Sequence, residues 1–438
     1  MSAQVKFSEI HKKSTAYLVF LLATAFYLYE FILQVAPSVM AKPMMQTFNV
    51  SATGYGMISA FYFYAYAPMQ IPAGLLFDRY GPRKLMTLAI MLCATGSIFF
   101  ASTTSIFTAA AGRFMIGFGS AFSFIGALVL LSRWFPPSHF AILAGIAQFM
   151  SSMGAIFGER PLAMLINAVG WRESSFILGG VGFVLAILFW SFIRDYPHQS
   201  TQSVPTHRLR DEWKRLRAVC GKKHTWITGA YACSIWTPIA VFSGLWGIPY
   251  LEVKFNIGLL AASSMCSMTW LAIGIGSPLF GWLSDKLESR RLILGLSGVL
   301  GLVATICILY LPGISKFWMY FILFLFGLGA SGQTVSFAVV KDNNDPNLVG
   351  TACGFNNLSV VIGAAVFQPL VGVALQHIGY STVINGISVY GLAAYQKSLI
   401  IMPLSYLINF LLVLFVLKES HPTHIKNQGR VRGGNIRD

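Results

Sequence analysis

Charge is what this sequence has least of. Asp, Glu, Lys and Arg make up only 11% of its 438 residues, 55% are hydrophobic, and the mean hydropathy is +0.66. A water-soluble chain carries about a quarter charged residues, so a large soluble enzyme is excluded before any motif is read. Acid is scarcer than base, 15 Asp+Glu against 31 Lys+Arg, which leaves a formal charge of +16. Cysteine is sparse as well: Cys93, Cys220, Cys233, Cys266, Cys307 and Cys353 never fall at C-x-x-C spacing, so neither a disulfide framework nor a zinc site is expected. The chain has no phosphate-binding loop, no cluster of metal ligands and no nucleophile motif, so no enzyme, metal or cofactor is expected. Without an ATP-binding segment, any energy comes from a gradient.

What is present is apolar sequence long enough to cross a bilayer, which needs roughly 20 residues per helix. Twelve stretches qualify: 16–41, 53–76, 85–103, 105–132, 139–161, 172–193, 226–253, 259–283, 292–312, 317–340, 349–377 and 398–417. The first is too long for a signal peptide and lacks a small-residue cleavage pattern, so it is expected to stay as a helix. With the N-terminus inside, 24 of the 31 basic residues fall in inside segments. Five lie outside (Lys42, Arg172, Lys254, Lys316, Lys397), and Arg113 and Arg160 lie within helices. That asymmetry places both termini in the cytoplasm. The basic charge is therefore topology, and nucleic acid is not an expected partner.

The expected fold is an all-α polytopic membrane protein with 12 transmembrane helices in two pseudo-symmetric six-helix bundles. Residues 1–193 form the first bundle, 194–224 a basic cytoplasmic linker, 225–417 the second bundle and 418–438 a basic tail. The halves echo each other: Gly74-Leu-Leu-Phe-Asp78-Arg79-Tyr-Gly-Pro-Arg83-Lys84 aligns with Gly281-Trp-Leu-Ser-Asp285-Lys286-Leu-Glu-Ser-Arg290-Arg291 at an offset of 207. Ile116–Ala121 matches Phe326–Ser331 at 210, and Arg160-Pro161-Leu162 matches Gln368-Pro369-Leu370 at 208. Three matches at nearly one offset indicate duplication.

The segment Gly74 to Lys84 resembles the loop signature of the major facilitator superfamily, G-x-L-x-D-r-x-G-r-r/k, and Arg113-Phe-Met-Ile-Gly117-Phe-Gly119 is similar to its helix 4 element. The resemblance covers the whole chain. It implies a monomeric transporter that moves a small molecule by alternating access in the bilayer of a bacterial inner membrane. The drug-antiporter signature G-P-x-x-G-G is replaced by Gly154-Ala-Ile-Phe-Gly158-Glu159-Arg160-Pro161, which argues against a multidrug exporter.

By the same resemblance the loop residues Asp78, Arg79, Arg83 and Lys84 form a cytoplasmic gate, with Asp78 meeting Arg133 and the start of helix 11. The second half offers Asp285 with Lys341, alongside Arg290. The alternative is that these charges act only as positive-inside anchors.

Charged residues deep in a helix are expensive in hydrocarbon and mark transport pathways. Glu30 and Arg113 come out at matching depths, about 16 Å and about 12 Å from the outer ends of helices 1 and 4. The resemblance to proton-coupled sugar porters makes Glu30 the proton site and Arg113 the partner that lowers its proton affinity; the alternative is a permanent structural pair. Glu159 and Arg160 count out about 30 Å along helix 5, which puts them at the outer interface as a snorkelling pair or an interfacial gate. Tyr27, Gln34, Tyr62, Tyr66, Gln148, Trp236, Trp270, Gln333, Asn356 and Asn357 describe an amide- and aromatic-lined cavity, with ordinary helix packing as the alternative for each.

Such a cavity suits a small neutral or zwitterionic solute better than a di- or trianion. Tyr29–Met40 and Phe61–Pro72 resemble the proteobacterial phagosomal transporters, which import amino acids and, in some members, nucleosides. Proton-coupled uptake of an amino acid or similar nutrient is the leading expectation; a uniporter or exporter of another small solute such as a nucleoside or dipeptide, or a membrane sensor, is the alternative.

Overall fold

The computed structural model describes residues 2–196, 209–345, 348–378, 381–384 and 387–421. The first crossing is α1 (Ser2–Val35) continued by α2 (Pro37–Phe48). The second is α3 (Ala52–Met69) with α4 (Pro72–Tyr80), the third α5 (Pro82–Ser102), and the fourth α6 (Ile106–Ser120) with α7 (Ser123–Trp134). The fifth is α8 (Pro137–Phe157) with α9 (Arg160–Val169), and the sixth α10 (Trp171–Phe192). A short helix between the halves, α11 (Leu209–Cys220), precedes the seventh crossing: α12 (Lys223–Val241), a π-helical turn (Phe242–Trp246) and α13 (Gly247–Phe255). Then come α14 (Leu259–Lys286), α15 (Arg290–Tyr310), α16 (Lys316–Ala330) with α17 (Gly332–Asp342), and α18 (Val349–Ile378). The last crossing is α19 (Leu392–Ser398) with α20 (Ile401–Phe415).

Eleven of these helical segments are long and apolar enough to cross a bilayer by themselves, and α3 with α4, interrupted at Gln70 and Ile71, makes the twelfth crossing. Large apolar side chains such as Leu88, Val184, Ile187 and Ile408 stand exposed around the outside, a surface that lipid covers. Between α18 and α19 the chain forms an antiparallel hairpin, β1 (Ser381–Ile384) with β2 (Ile387–Tyr390), Ser381 opposite Tyr390. Apolar length alone gave no sign of it, because the segment is too short and polar to be a crossing.

Proline decides where several crossings break. Pro37 has no N–H to offer the Leu33 carbonyl four residues back, and α1 stops there. Pro72 opens α4 at a position where a helix needs no donor. Pro369, by contrast, is absorbed within an unbroken α18. Glycine decides how closely crossings approach. A Cβ at Gly117 would collide with the Tyr62 backbone carbonyl, so glycine lets α6 lie directly on α3. Gly154 does the same for α8 against the Leu28 carbonyl of α1.

The end carrying the signature loops and α11 is called here the linker end, the other the opposite end. At the opposite end the halves are joined repeatedly. Lys42 of α2 pairs with Glu252 of α13 at 3.1 Å, and Ser51 and Thr53 donate to Gln376 of α18 at 2.8 and 2.6 Å. Deeper, the Tyr55 ring stands edge-on to Trp246 of the second half at 5.4 Å, while within that half the Trp246 indole donates to the Gln368 carbonyl at 3.0 Å.

Candidate functional site

The deepest polar cluster is built where α1, α3 and α6 meet. Glu30, Tyr62 and Arg113 are all buried. Tyr62 stands between the two charges: its hydroxyl donates to Glu30 Oε1, and its ring face lies under the Arg113 guanidinium, 5.0 Å from the centroid. The expected direct pair is not formed, because Glu30 and Arg113 are not within ion-pair distance. Arg113 instead fills the break in helix 1. Its Nη1 donates at 2.8 Å to the Leu33 carbonyl, the acceptor left open by Pro37, and Nη2 reaches the Gln34 carbonyl at 3.5 Å. Among the described residues, Arg113 Nε and Glu30 Oε2 have no hydrogen-bond partner. A buried cation facing only neutral dipoles and a ring is costly, and a carboxylate is the group that would offset that cost.

Tyr66 stacks on Tyr62 at 5.6 Å and 20°, extending the cluster along α3. A second line of contacts crosses from the first half to the second. The Tyr27 hydroxyl donates to Gln148 at 3.3 Å, Tyr27 abuts Phe31 at 5.3 Å, Phe31 meets Trp270 at 6.1 Å, and Trp270 meets Trp236 at 6.3 Å. Of the expected lining, Gln34 joins through its backbone carbonyl alone. Asn356 turns away to donate to Ser336 at 2.9 Å and braces α18 to α17. Asn357 bridges the halves by donating to Gln70 at 2.6 Å. Gln333 enters no side-chain contact with these groups among the described residues.

Glu159 corrects the sequence reading. It is fully buried, with no water-facing surface, in the break between α8 and α9. Its carboxyl takes the Trp270 indole N–H at 2.9 Å and meets Ser267 Oγ at 2.8 Å, both on α14 of the other half. Arg160 is exposed and does not pair with it. Counting helical rise gave a distance along the helix but not the side to which the carboxyl turns, and here it turns inward to the second half.

At the linker end the two loops are built alike. The Arg83 backbone N–H donates to Asp195 at 2.8 Å, while its guanidinium donates to the Trp190 carbonyl and lies 4.4 Å over the Trp190 ring. In the second half Arg291 donates to the Val413 and Leu414 carbonyls at 3.0 and 2.7 Å, and Glu419 accepts the Arg290 and Arg291 backbone N–H groups. Arg83 is thus matched by Arg291, one residue later than the loop alignment placed it. Burial would raise the Glu419 carboxyl, but hydrogen bonds from Ser289 and the backbone of His421, Arg290 and Arg291 outweigh it and hold it below the ordinary value of about 4.5. The expected Asp285 and Lys341 pair is also corrected: Asp285 bonds Arg290 at 2.5 Å, Arg290 bonds Asp342 at 3.1 Å, and Lys341 is exposed. Arg133 stacks on Tyr196 at 4.5 Å, Arg79 on Tyr80 at 5.2 Å, and Lys84 is exposed. The Asp78 side chain lies outside the described residues, as do most of the tail and part of the linker.

The Major Facilitator Superfamily matches the chain over residues 16–367 and 237–434. The hexuronate transporter of Bacillus subtilis (strain 168) is 24% identical over 76% of this chain and 82% of its own length. The "Probable galactarate/D-glucarate transporter GarP" of Escherichia coli (strain K12) is 26% identical over 94% of this chain and 96% of its own. A bacterial homolog of the human lysosomal transporter Spinster, solved in an inward-facing and unoccupied conformation, superposes with a TM-score of 0.71 at 17% identity, covering 91% of this chain and 97% of that one. On these matches the chain belongs to the major facilitator superfamily and is a multi-pass membrane transporter of small molecules, not an enzyme.

Proposed function

We propose that the chain carries a small carboxylate-bearing solute by proton-coupled symport, working as a monomer in a bacterial cytoplasmic membrane. The bundles at 1–193 and 225–417 rock about the shared site, and the linker end, with 194–224, the tail at 418–438 and both termini, faces the cytoplasm. One observation carries the substrate class: Arg113 is buried against neutral dipoles and a ring, with no carboxylate in reach and its Nε unpartnered. A solute carboxylate supplies the missing charge at mid-membrane. The hexuronate and glucarate transporters among its relatives are in keeping with an organic acid. Among the described residues, Arg113 offers a buried cation to one carboxylate of the solute.

A zwitterionic amino acid is the second reading because Glu30 Oε2, across Tyr62 from Arg113, is an acceptor without a partner and could take an ammonium group. In the leading reading Glu30 binds the coupled proton, its carboxyl held by the Tyr62 hydroxyl. Thermal stability of the purified protein, measured with D-glucuronate, D-glucarate, amino acids, dipeptides and nucleosides, separates these cases. Stabilisation by a carboxylate solute that vanishes in Arg113→Gln supports the assignment. Stabilisation by a nucleoside alone, or one that survives Arg113→Gln, refutes it. Uptake unaffected by a proton ionophore would identify a uniporter instead.

A further inference from the structure

Glu159 has no part in the centre at Glu30 and Arg113, yet it is a fully buried acid that joins the two halves without a cation paired to it among the described residues. It sits where the fifth crossing is broken, followed by Pro161, so its carboxyl is not held along a regular helix and reaches across to α14. The ionisable groups on the elements packed around it include Arg160 next to it on α9, Tyr27, Tyr29 and Glu30 on α1, Lys42 on α2, Arg172 and Glu173 on α10, and Cys266 on α14, with His139 on α8, Arg133 on α7 and Asp285 and Lys286 on α14 at the linker end. Among the described residues none pairs with Glu159 or hydrogen-bonds to it; Lys42 is taken by Glu252, and Arg172 by the Ala101 and Thr103 carbonyls. An ionised carboxyl would therefore be buried without a counter-charge.

The hydrogen-bond inventory points the same way. Ser267 Oγ lies 2.8 Å from Glu159 Oε2 and 2.9 Å from the Ser263 carbonyl, and it has a single proton. If the acid is protonated, its O–H donates to Ser267, Ser267 donates to Ser263, and the Trp270 indole N–H donates to the remaining carboxyl oxygen. Every group is then satisfied. If the acid is ionised, Ser267 must give its proton to Glu159 and release Ser263, and the negative charge stays buried.

We infer that Glu159 is a proton-binding site whose occupation shuts the opposite end of the transporter. One proton is taken from water at that end, and no other bond is made or broken. Protonated, Glu159 docks on Ser267 and Trp270 and draws α14 against α8 and α9. Ionised, it is stable only in water, so the halves part there. Trp270 carries the closure inward, since it also touches Phe31 and Trp236. The inference rests on the proposed proton coupling and adds to it a second acid with a separate task, gating in place of solute binding.

The test is the distance between spin labels on Met164→Cys and Leu260→Cys, exposed positions on α9 and α14, in a background with the native cysteines replaced that still transports. Labelled protein in lipid nanodiscs is scanned over about pH 5 to about pH 9. The expected result is a short distance at low pH giving way to a long one as pH rises, with Glu159→Gln fixed short throughout and Glu30→Gln still shifting like the parent. A parent distance independent of pH, or a Glu159→Gln protein that opens as the parent does, overturns the inference. Ser267→Ala, which removes the acceptor for the protonated acid, is the second variant and covers a Glu159→Gln protein that fails to fold; its opening should move to lower pH, and an unmoved midpoint also overturns the inference. If Glu30→Gln abolishes accumulation yet keeps the distance shift, the two acids are separate. If Glu30→Gln abolishes the shift as well, Glu159 is not the gate even though the proposed function stands.

Discussion

The two halves repeat each other at the linker end and differ at mid-membrane. Arg83 and Arg291 each grip the end of the sixth crossing in their own half, and Asp195 and Glu419 each accept the backbone N–H groups that open the third crossing and its counterpart. The buried charges Glu30, Arg113 and Glu159 of the first half have no such counterpart. At the offsets that relate the halves, Arg113 corresponds to Leu323, Glu159 to Phe367, and Glu30 falls in the uncharged stretch 237–240. Duplicated parts serve what both halves must do, which is to hold a rigid bundle and hinge. In the proposed function, the unduplicated charges of the first half serve chemistry done once per cycle.

That division can be broken experimentally, and the largest effect is expected at Glu30. Glu30→Gln should lose proton-driven accumulation while counterflow between equal pools stays within about twofold of wild type, as expected when only the coupling step is removed. Arg113→Gln should weaken solute binding about 10- to 100-fold, the value of hydrogen bonds to a charged group, as measured by ligand-dependent thermal shift. Gly117→Val forces α6 from the Tyr62 carbonyl and should cost about 1–3 kcal/mol of stability, with transport falling because Arg113 leaves the Tyr62 ring.

At the duplicated end the effects should be smaller and alike in the two halves. Asp195→Ala and Glu419→Ala should each cost about 0.5–2 kcal/mol, typical of a lost helix cap, and leave coupling intact. Because the folded-state value of Glu419 is depressed, its contribution is complete above pH about 4.5 and is lost as pH falls through the lower folded value. The stability difference between wild type and Glu419→Gln should therefore be flat at neutral pH and shrink in acid.

Much of this was legible in the sequence. Apolar length carries the crossings, and the repeated loop carries the family. Glu30, Tyr62 and Arg113 are recognisable because buried charge and deep tyrosine are costly in lipid. Less visible was what those residues touch. Arg113 lies level with Glu30, but the carbonyl freed by Pro37 competes for its guanidinium, and Tyr62 stands in the gap. Asp285 pairs with Arg290 and not with Lys341, and it is Asp342, the next residue, that turns to Arg290, because neighbouring helix residues point about 100° apart, which spacing between repeats does not resolve. Glu159 was misplaced because rise along a helix says nothing of the direction in which a break turns the side chain.

The most direct test of the division is solute accumulation in proteoliposomes under an imposed pH gradient, comparing Glu30→Gln with Arg291→Gln at matched protein density. The account predicts that Arg291→Gln slows uptake yet still concentrates solute, whereas Glu30→Gln equilibrates without concentrating it. Accumulation by Glu30→Gln, with loss of accumulation in Arg291→Gln, would contradict it.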